Sequence, residues 1–309
     1  MRVYITAVAG YIGTYLLQYL HERGGYQISG CDIRSFPPLM PKLEGVQFAL
    51  LDCTRLRKED LEGYDAVIHL AAVSSHADAN ANPRLTQRLN VWGTANLAKV
   101  AREAGVKCFI FPSTSAVYQQ PLGHEGFPNE EIEVQPVDLY SHTKLQAEEK
   151  IQALSSENFR VVILRFGTVY GYSPRMRWDI LVNIFTKQAM LEGVLTLYDG
   201  GEAYRPLVFI ADVARSYEWA LNTPIQGVFN ISEGDYTVKQ VAEIFCSHVT
   251  AKEIALNVLP NTKPQEVMSY KLDTSKAEAH GFGCRYRLNE VLPEELRKFS
   301  RRVALRIDD

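Results

Sequence analysis

Cysteine is sparse and unpatterned in this chain. Cys31, Cys53, Cys108, Cys246 and Cys284 are odd in number, lie far apart and form no C-x-x-C pair, which excludes a disulfide framework and a cysteine metal site. Charge of one sign is equally lacking. Lys+Arg 33 against Asp+Glu 36 leaves a net charge of -3, so no general nucleic-acid or anionic-membrane surface is expected. No apolar run reaches the ~18 residues of a membrane span. Met1 leads directly into Val3-Tyr4-Ile5 without the basic and apolar stretches of a secretory signal, and a cytoplasmic location is expected. Repeats and low-complexity tracts are also missing. What remains is 309 residues, 46% hydrophobic and 22% charged, enough for a large buried core.

The first half alternates short β-branched or aromatic runs with longer helical patterns, the signature of parallel βαβ units. Strands are predicted at Val3 to Thr6, Ile28 to Asp32, Val46 to Leu51, Ala66 to Ala71, Lys107 to Phe111 and Val161 to Phe166. Ile12, Leu16 and Leu20 recur at helical spacing before Gly24-Gly25, and a second helix is predicted from about Leu89 to Ala104. The pattern gives an α/β fold, a doubly wound parallel sheet with a second, smaller α/β substrate lobe. Residues 1–166 are read as the dinucleotide-binding domain, about 208–232 as returning to it, and 167–309 as mainly the substrate lobe.

After the first strand comes Thr6-Ala7-Val8-Ala9-Gly10-Tyr11-Ile12-Gly13, with a helix opening at its end. Glycine at such a turn lets the backbone approach a pyrophosphate, and a helix N-terminus supplies N–H donors. Gly10 and Gly13 fit this Rossmann arrangement; Ala7 does not. Asp32, nineteen positions past Gly13, stands where an acid can accept from both hydroxyls of an adenosine ribose. Its charge favours NAD over NADP. Arg34 argues the other way, because a guanidinium can accommodate a 2′-phosphate.

Tyr140 and Lys144 fall at i and i+4 on a helix predicted from Asp138 to Leu154. An ammonium beside a phenol lowers its pKa and makes it a usable proton acceptor, so Lys144 is expected to tune Tyr140. Upstream, Phe109-Ile110-Phe111-Pro112-Ser113-Thr114-Ser115 ends a strand in hydroxyls at the edge where such sheets bind ligands.

At this point the chain resembles the extended short-chain dehydrogenase/reductases of the NAD-dependent sugar epimerase/dehydratase family. The glycine turn, Asp32, Asp52-Cys53, His69-Leu70-Ala71-Ala72, Asn90-Val91-Trp92-Gly93-Thr94, the hydroxyl strand end, Y-x-x-x-K and Arg165-Phe166-Gly167-Thr168-Val169-Tyr170-Gly171 occur in the family's order. The resemblance implies that Thr114 hydrogen-bonds the reacting sugar oxygen, that Tyr140 is the acid/base, and that Lys144 holds the nicotinamide ribose. It implies cofactor contacts for Gly10, Tyr11, Ile12, Gly13, Asp32, Arg34, Asp52, Cys53, Leu70, Ala71, Ala72, Ser74 and Gly167, and a bracing role for Asn90.

Family dehydratases resemble one another in carrying Asp-Glu after the catalytic threonine, and decarboxylases a Glu. Ser115-Ala116 can perform neither task, so the pair is similar to that of 4-epimerases. Gly167 and Thr168 replace the usual Phe and Asn, from which a wider pocket is expected. Arg205 matches the arginine that grips the nucleotide diphosphate, with Lys263 in place of a second one; Thr196 and Tyr198 fall near the base, and Arg177 in a loop toward phosphate or sugar. The reading is an NAD-dependent nucleotide-sugar epimerase acting at C4, with a UDP-sugar as substrate. A reductase, dehydrogenase or dehydratase of the same fold, or a non-catalytic NAD-binding protein, stands as the alternative. A homodimer through the Asn90 and Tyr140 helices is implied by the same resemblance.

Overall fold

The computed structural model describes residues 1–249, 254–260 and 267–304. The strands run β1 (Arg2–Thr6), β2 (Gln27–Asp32), β3 (Gln47–Leu50), β4 (Ala66–His69), β5 (Cys108–Thr114), β6 (Gln120–Pro121) and β7 (Arg160–Phe166). There follow β8 (Thr168–Tyr170), β9 (Val194–Leu197), β10 (Tyr204–Phe209), β11 (Gly227–Ile231), β12 (Gly234–Thr237), β13 (Ala255–Val258) and β14 (Met268–Ser269). Seven of these form one parallel sheet in the order β11-β7-β5-β4-β1-β2-β3. This is a doubly wound α/β sheet of Rossmann type.

The two-residue period of β1 explains the layering. Val3 and Ile5 face a core shared with Leu16, Leu20, Val213 and Ala214, while Tyr4 faces Val67, Leu97, Ala101 and Phe109 on the opposite side. Both faces are therefore covered, as a parallel sheet requires. Beyond β7, the strands β12, β10 and β8 form a separate three-stranded sheet over a core of Tyr170, Phe185, Leu195, Phe209 and Phe245. No helix among the described residues is long and apolar enough to cross a membrane.

Three boundaries differ from the sequence prediction, each for a local reason. β4 stops at His69, because its ring is held by Thr6 (Nδ1, 2.8 Å) and Thr94 (Nε2, 3.0 Å) while Ala71 N–H turns to the Thr6 hydroxyl at 3.2 Å. β5 continues to Thr114, which still pairs with Phe166 of β7. The helical run before β5 begins at Pro83, with the Asn82 side chain accepting from Leu85 N–H at 3.1 Å, and includes a π turn over Arg88–Gly93.

Candidate active site

The first part of the site is the turn after β1. Ala7 takes φ 51°, the left-handed region in which a Cβ costs roughly 1–2 kcal/mol. Alanine thus occupies the position where glycine was expected, without changing the turn: Gly10 N–H donates to Ala7 O at 3.0 Å. A Cβ on Gly10 would stand 3.1 Å from Ala7 O, and one on Gly13 2.7 Å from Val8 O, so the helix Tyr11–Arg23 packs directly on the turn. No side chain caps that helix at its start. Its first N–H groups are left for another acceptor.

Asp32 ends β2 with its carboxylate under this turn. One oxygen accepts from Ala9 N–H and the other from Arg34 N–H, both at 3.0 Å. Each oxygen keeps acceptor capacity for one further donor. The Arg34 side chain is exposed. Asp52 accepts from the Thr54 N–H and hydroxyl at 2.9 and 2.8 Å, starting the short helix that includes Cys53. Leu70, Ala71 and Ala72 lie half-buried beyond β4, and Ser74 is exposed.

A second segment, residues 171–177, closes over the turn from a sequence distance of about 160 positions. The Tyr11 hydroxyl donates to Gly171 O at 2.7 Å, and Ser173 Oγ donates to Tyr11 O at 2.7 Å while meeting Thr14 Oγ1 at 2.8 Å. Arg175 donates to Ala9 O at 2.6 Å and to Ser35 O at 2.8 Å. Asn183 fixes the far end, donating to Arg177 O at 2.9 Å. Sequence reasoning missed Ser173, Arg175 and Asn183, since nothing local marks them as partners of the turn.

The hydroxyl end of β5 and the helix Leu139–Gln152 make the opposite wall, and they pack against each other. Asp138 caps the helix, its carboxylate accepting from the Ser141 N–H and hydroxyl at 2.9 and 2.7 Å. Thr114 Oγ1 accepts from Ala116 N–H at 3.1 Å, and the Ser115 hydroxyl is buried with no protein partner. Tyr140 is half-buried, its ring edge-on to His76 at 5.5 Å, and His76 Nδ1 is 3.2 Å from Asp138. Lys144 is buried, its ammonium 3.8 Å from the centre of the Phe111 ring.

Burial and a few neighbouring charges set the electrostatics of this wall. Burial pushes the Tyr140 phenol up to about 12, with Arg177 pulling it down and Asp138 pushing it up. Arg177 is a cation that acts on this phenol. Burial pulls Lys144 itself down to about 7, opposed by Glu148 one turn along the helix. Glu148 is in turn held by Arg165 (Nη2 2.6 Å, Nε 3.1 Å to both oxygens) and by the Ser113 hydroxyl. A buried ion pair thus anchors the helix to β5 and β7.

The model of the NAD dependent epimerase/dehydratase family matches residues 3–232. The chain belongs to that family. An uncharacterised UDP-glucose epimerase, YtcB of Bacillus subtilis, is 30% identical over 241 residues, covering 72% of this chain and 73% of its own. UDP-glucuronic acid decarboxylase 4 of Arabidopsis thaliana is 28% identical, covering 98% of this chain and 69% of that one. Among solved structures, MoeE5 is similar with UDP-glucose and NAD (TM-score 0.85) and with UDP-glucuronic acid and NAD (0.84), at 26% identity over 98% of this chain and 100% of that one.

NAD is the coenzyme of this family, and the residues present fit it: a helix start packed onto the turn and left uncapped, with a carboxylate beneath that retains two acceptor positions. The residues predicted to meet a family substrate are more dispersed. The space a side chain would take at Gly167 is filled by Pro206, whose carbonyl oxygen would stand 2.9 Å from a Cβ, so the missing side chain opens no pocket and that expectation is corrected. Thr168 lies half-buried on β8, directly after Gly167. Arg205 is half-buried, donating to Tyr204 O and Met268 O at 2.8 Å. Thr196 lies half-buried on β9, whereas the Tyr198 ring beyond its end is 67% exposed. Lys263 lies outside the described residues.

Proposed function

We propose that this protein is an NAD-dependent nucleotide-sugar epimerase that inverts C4 of a UDP-sugar through a transient 4-keto sugar. The observation that carries this reading is the wall formed by Thr114, Ser115 and Tyr140, in which the turn after the threonine is Ser115-Ala116 and offers no carboxylate. A dehydratase or decarboxylase needs a further acid or base to handle a C5 proton or a leaving group; inversion at C4 does not. The family likeness to both epimerases and decarboxylases leaves this chemical argument to decide between them.

Bound NAD would supply a hydride acceptor at the sugar carbon and then return the hydride to the opposite face of the ketone. Gly10, Tyr11, Ile12 and Gly13 would hold its pyrophosphate, Asp32 the adenosine ribose, Asp52 and Cys53 the adenine, and Leu70, Ala71, Ala72, Ser74 and Gly167 the remainder. Thr114 would orient the sugar 4-hydroxyl and Tyr140 would take and return its proton. Because the phenol sits at about 12 in the protein alone, it would act only once positive charge or hydrogen bonds in the loaded site stabilise the phenolate. Lys144 would contribute through the nicotinamide ribose. Arg205 would meet the diphosphate and Thr196 or Tyr198 the base.

A homodimer through the helix Leu139–Gln152 and its neighbour is part of the same proposal. Trp92, 59% exposed and capped by the Lys150 ammonium at 4.3 Å from the ring centre, offers an aromatic anchor on that face. A cytoplasmic location agrees with five free thiols. The reading is tested by incubating the protein with UDP-glucose and UDP-glucuronic acid and resolving C4 epimers by NMR. Wild type should interconvert at least one pair, and Tyr140→Phe should lose about 100-fold or more of kcat with NAD still bound; undiminished turnover in the variant would reject the assigned acid/base.

A further inference from the structure

The reaction as proposed gives Arg177 no contact with the substrate. One edge of its guanidinium is filled by Asp179, with Nε to Oδ1 at 3.0 Å and Nη2 to Oδ2 at 2.7 Å. Among the described residues the other edge, Nη1 with the second Nη2 hydrogen, meets only Ser74 Oγ at 3.4 Å. Ser74 is two residues from His76, whose ring packs on Tyr140. The guanidinium therefore stands at the rim that carries the phenol, and its pull on the Tyr140 ionisation is consistent with that position.

The proposed function gives the cofactor and the diphosphate other partners. Arg175 is spent on the Ala9 carbonyl of the glycine turn and on the Ser35 carbonyl beyond β2, and the diphosphate arginine of the proposed function is Arg205. Both serve other ends of the site. A guanidinium held by a carboxylate on one edge and free on the other is preorganised for a second planar acceptor with two oxygens. At the reacting end of a nucleotide sugar, the group with that geometry and charge is a carboxylate on the carbon next to C4. A hydroxymethyl group there could accept only one of the two hydrogen bonds that this edge offers. The neighbouring wall favours the same ligand: Ser115 presents a buried hydroxyl without a protein partner, and Ala116 brings no negative charge.

We infer that Arg177 selects an acidic sugar, its free edge holding the carboxylate of a nucleotide hexuronate beside Tyr140. The inference rests on the epimerase reading and deepens it by naming the substrate class.

The test compares UDP-glucuronic acid with UDP-glucose for wild type, Arg177→Gln and Arg177→Lys, measuring kcat/KM, Kd by calorimetry, and NAD content. Wild type should favour the uronate, and the ratio of kcat/KM for uronate over glucose should fall about 30-fold or more in Arg177→Gln, with Arg177→Lys in between. NAD content should not change. An unchanged ratio, a wild type that favours UDP-glucose, or loss of NAD from Arg177→Gln overturns the inference while leaving the epimerase reading in place. Should wild type interconvert neither sugar, the epimerase reading fails, and the Kd ratio decides on Arg177 alone: the same fall in preference supports it, an unchanged ratio refutes it.

Discussion

Asn90 grips both polar atoms of the Val73 peptide, its Oδ1 accepting from Val73 N–H at 2.8 Å and its Nδ2 donating to Val73 O at 3.0 Å. The same Nδ2 lies 3.1 Å from the Thr143 hydroxyl, on the helix that carries Tyr140 and Lys144. One carboxamide therefore ties the loop after β4 to the proposed acid/base. This is a bracing role, and it needs no contact with substrate.

Replacing that carboxamide should loosen the loop rather than remove a chemical group. Asn90→Ala leaves the Val73 N–H and C=O without their buried partner, a loss of about 1–3 kcal/mol. Denaturant titration should show this as a lowered midpoint at unchanged slope. Turnover should fall with the wild-type pH profile preserved; a displaced pH optimum would mean that Asn90 acts on the chemistry itself.

Ala7 gives a prediction of opposite sign. At φ 51° the alanine is strained, and Ala7→Gly relieves roughly 1–2 kcal/mol in the folded state while adding about 0.5–1 kcal/mol of unfolded-chain entropy. The glycine variant should be the more stable by several tenths to 1 kcal/mol, with NAD retained. A lower melting temperature would show that the methyl group contributes packing the strain argument ignores.

Two buried bases each give a separable part of the pH dependence. Burial, with Lys144 adding to it, holds His69 down at about 3 from 6.5, so the unfolded chain takes up a proton that the folded one refuses as pH falls below 6.5. Stability is lost in that window. In His69→Gln the loss should be shallower, and the stability gap between wild type and variant should narrow from pH 6.5 to 4. Lys144, held near 7 from 10.5, works the same way at higher pH: from pH 7 to 10 wild type should gain stability relative to Lys144→Met. Parallel curves for wild type and either variant would contradict these assignments.

Much of this arrangement was legible locally. The strand character of Val3-Tyr4-Ile5, the spacing of Ile12, Leu16 and Leu20, and the hydroxyls closing β5 are each short-range signals, and the alternation of strands with helices points to a parallel sheet. The helix-strand pattern of Asp212 to Leu221 and Gly227 to Ile231 marked a return to the sheet, and the structure pairs that strand with β7. The latch of residues 171–177 could not be read in this way, because Tyr11 and Gly171 meet across 160 positions with no local signature. For the same reason the sequence did not show that Arg177 also acts on Tyr140, or that the Lys144 ammonium lies over the Phe111 ring. Gly167 was misread because an absent side chain was taken for free space, and only the fold shows Pro206 filling it.

The central claim is that Tyr140 inverts a sugar carbon through a hydride that never leaves the site. It is tested most directly by giving the purified protein, without added NAD, a UDP-sugar deuterated at C4 and following product by mass spectrometry and NMR. The account predicts many turnovers per protein, a C4 epimer, and deuterium kept at C4. Deuterium exchanged for solvent hydrogen, or oxidised product formed only when NAD is supplied, would contradict it.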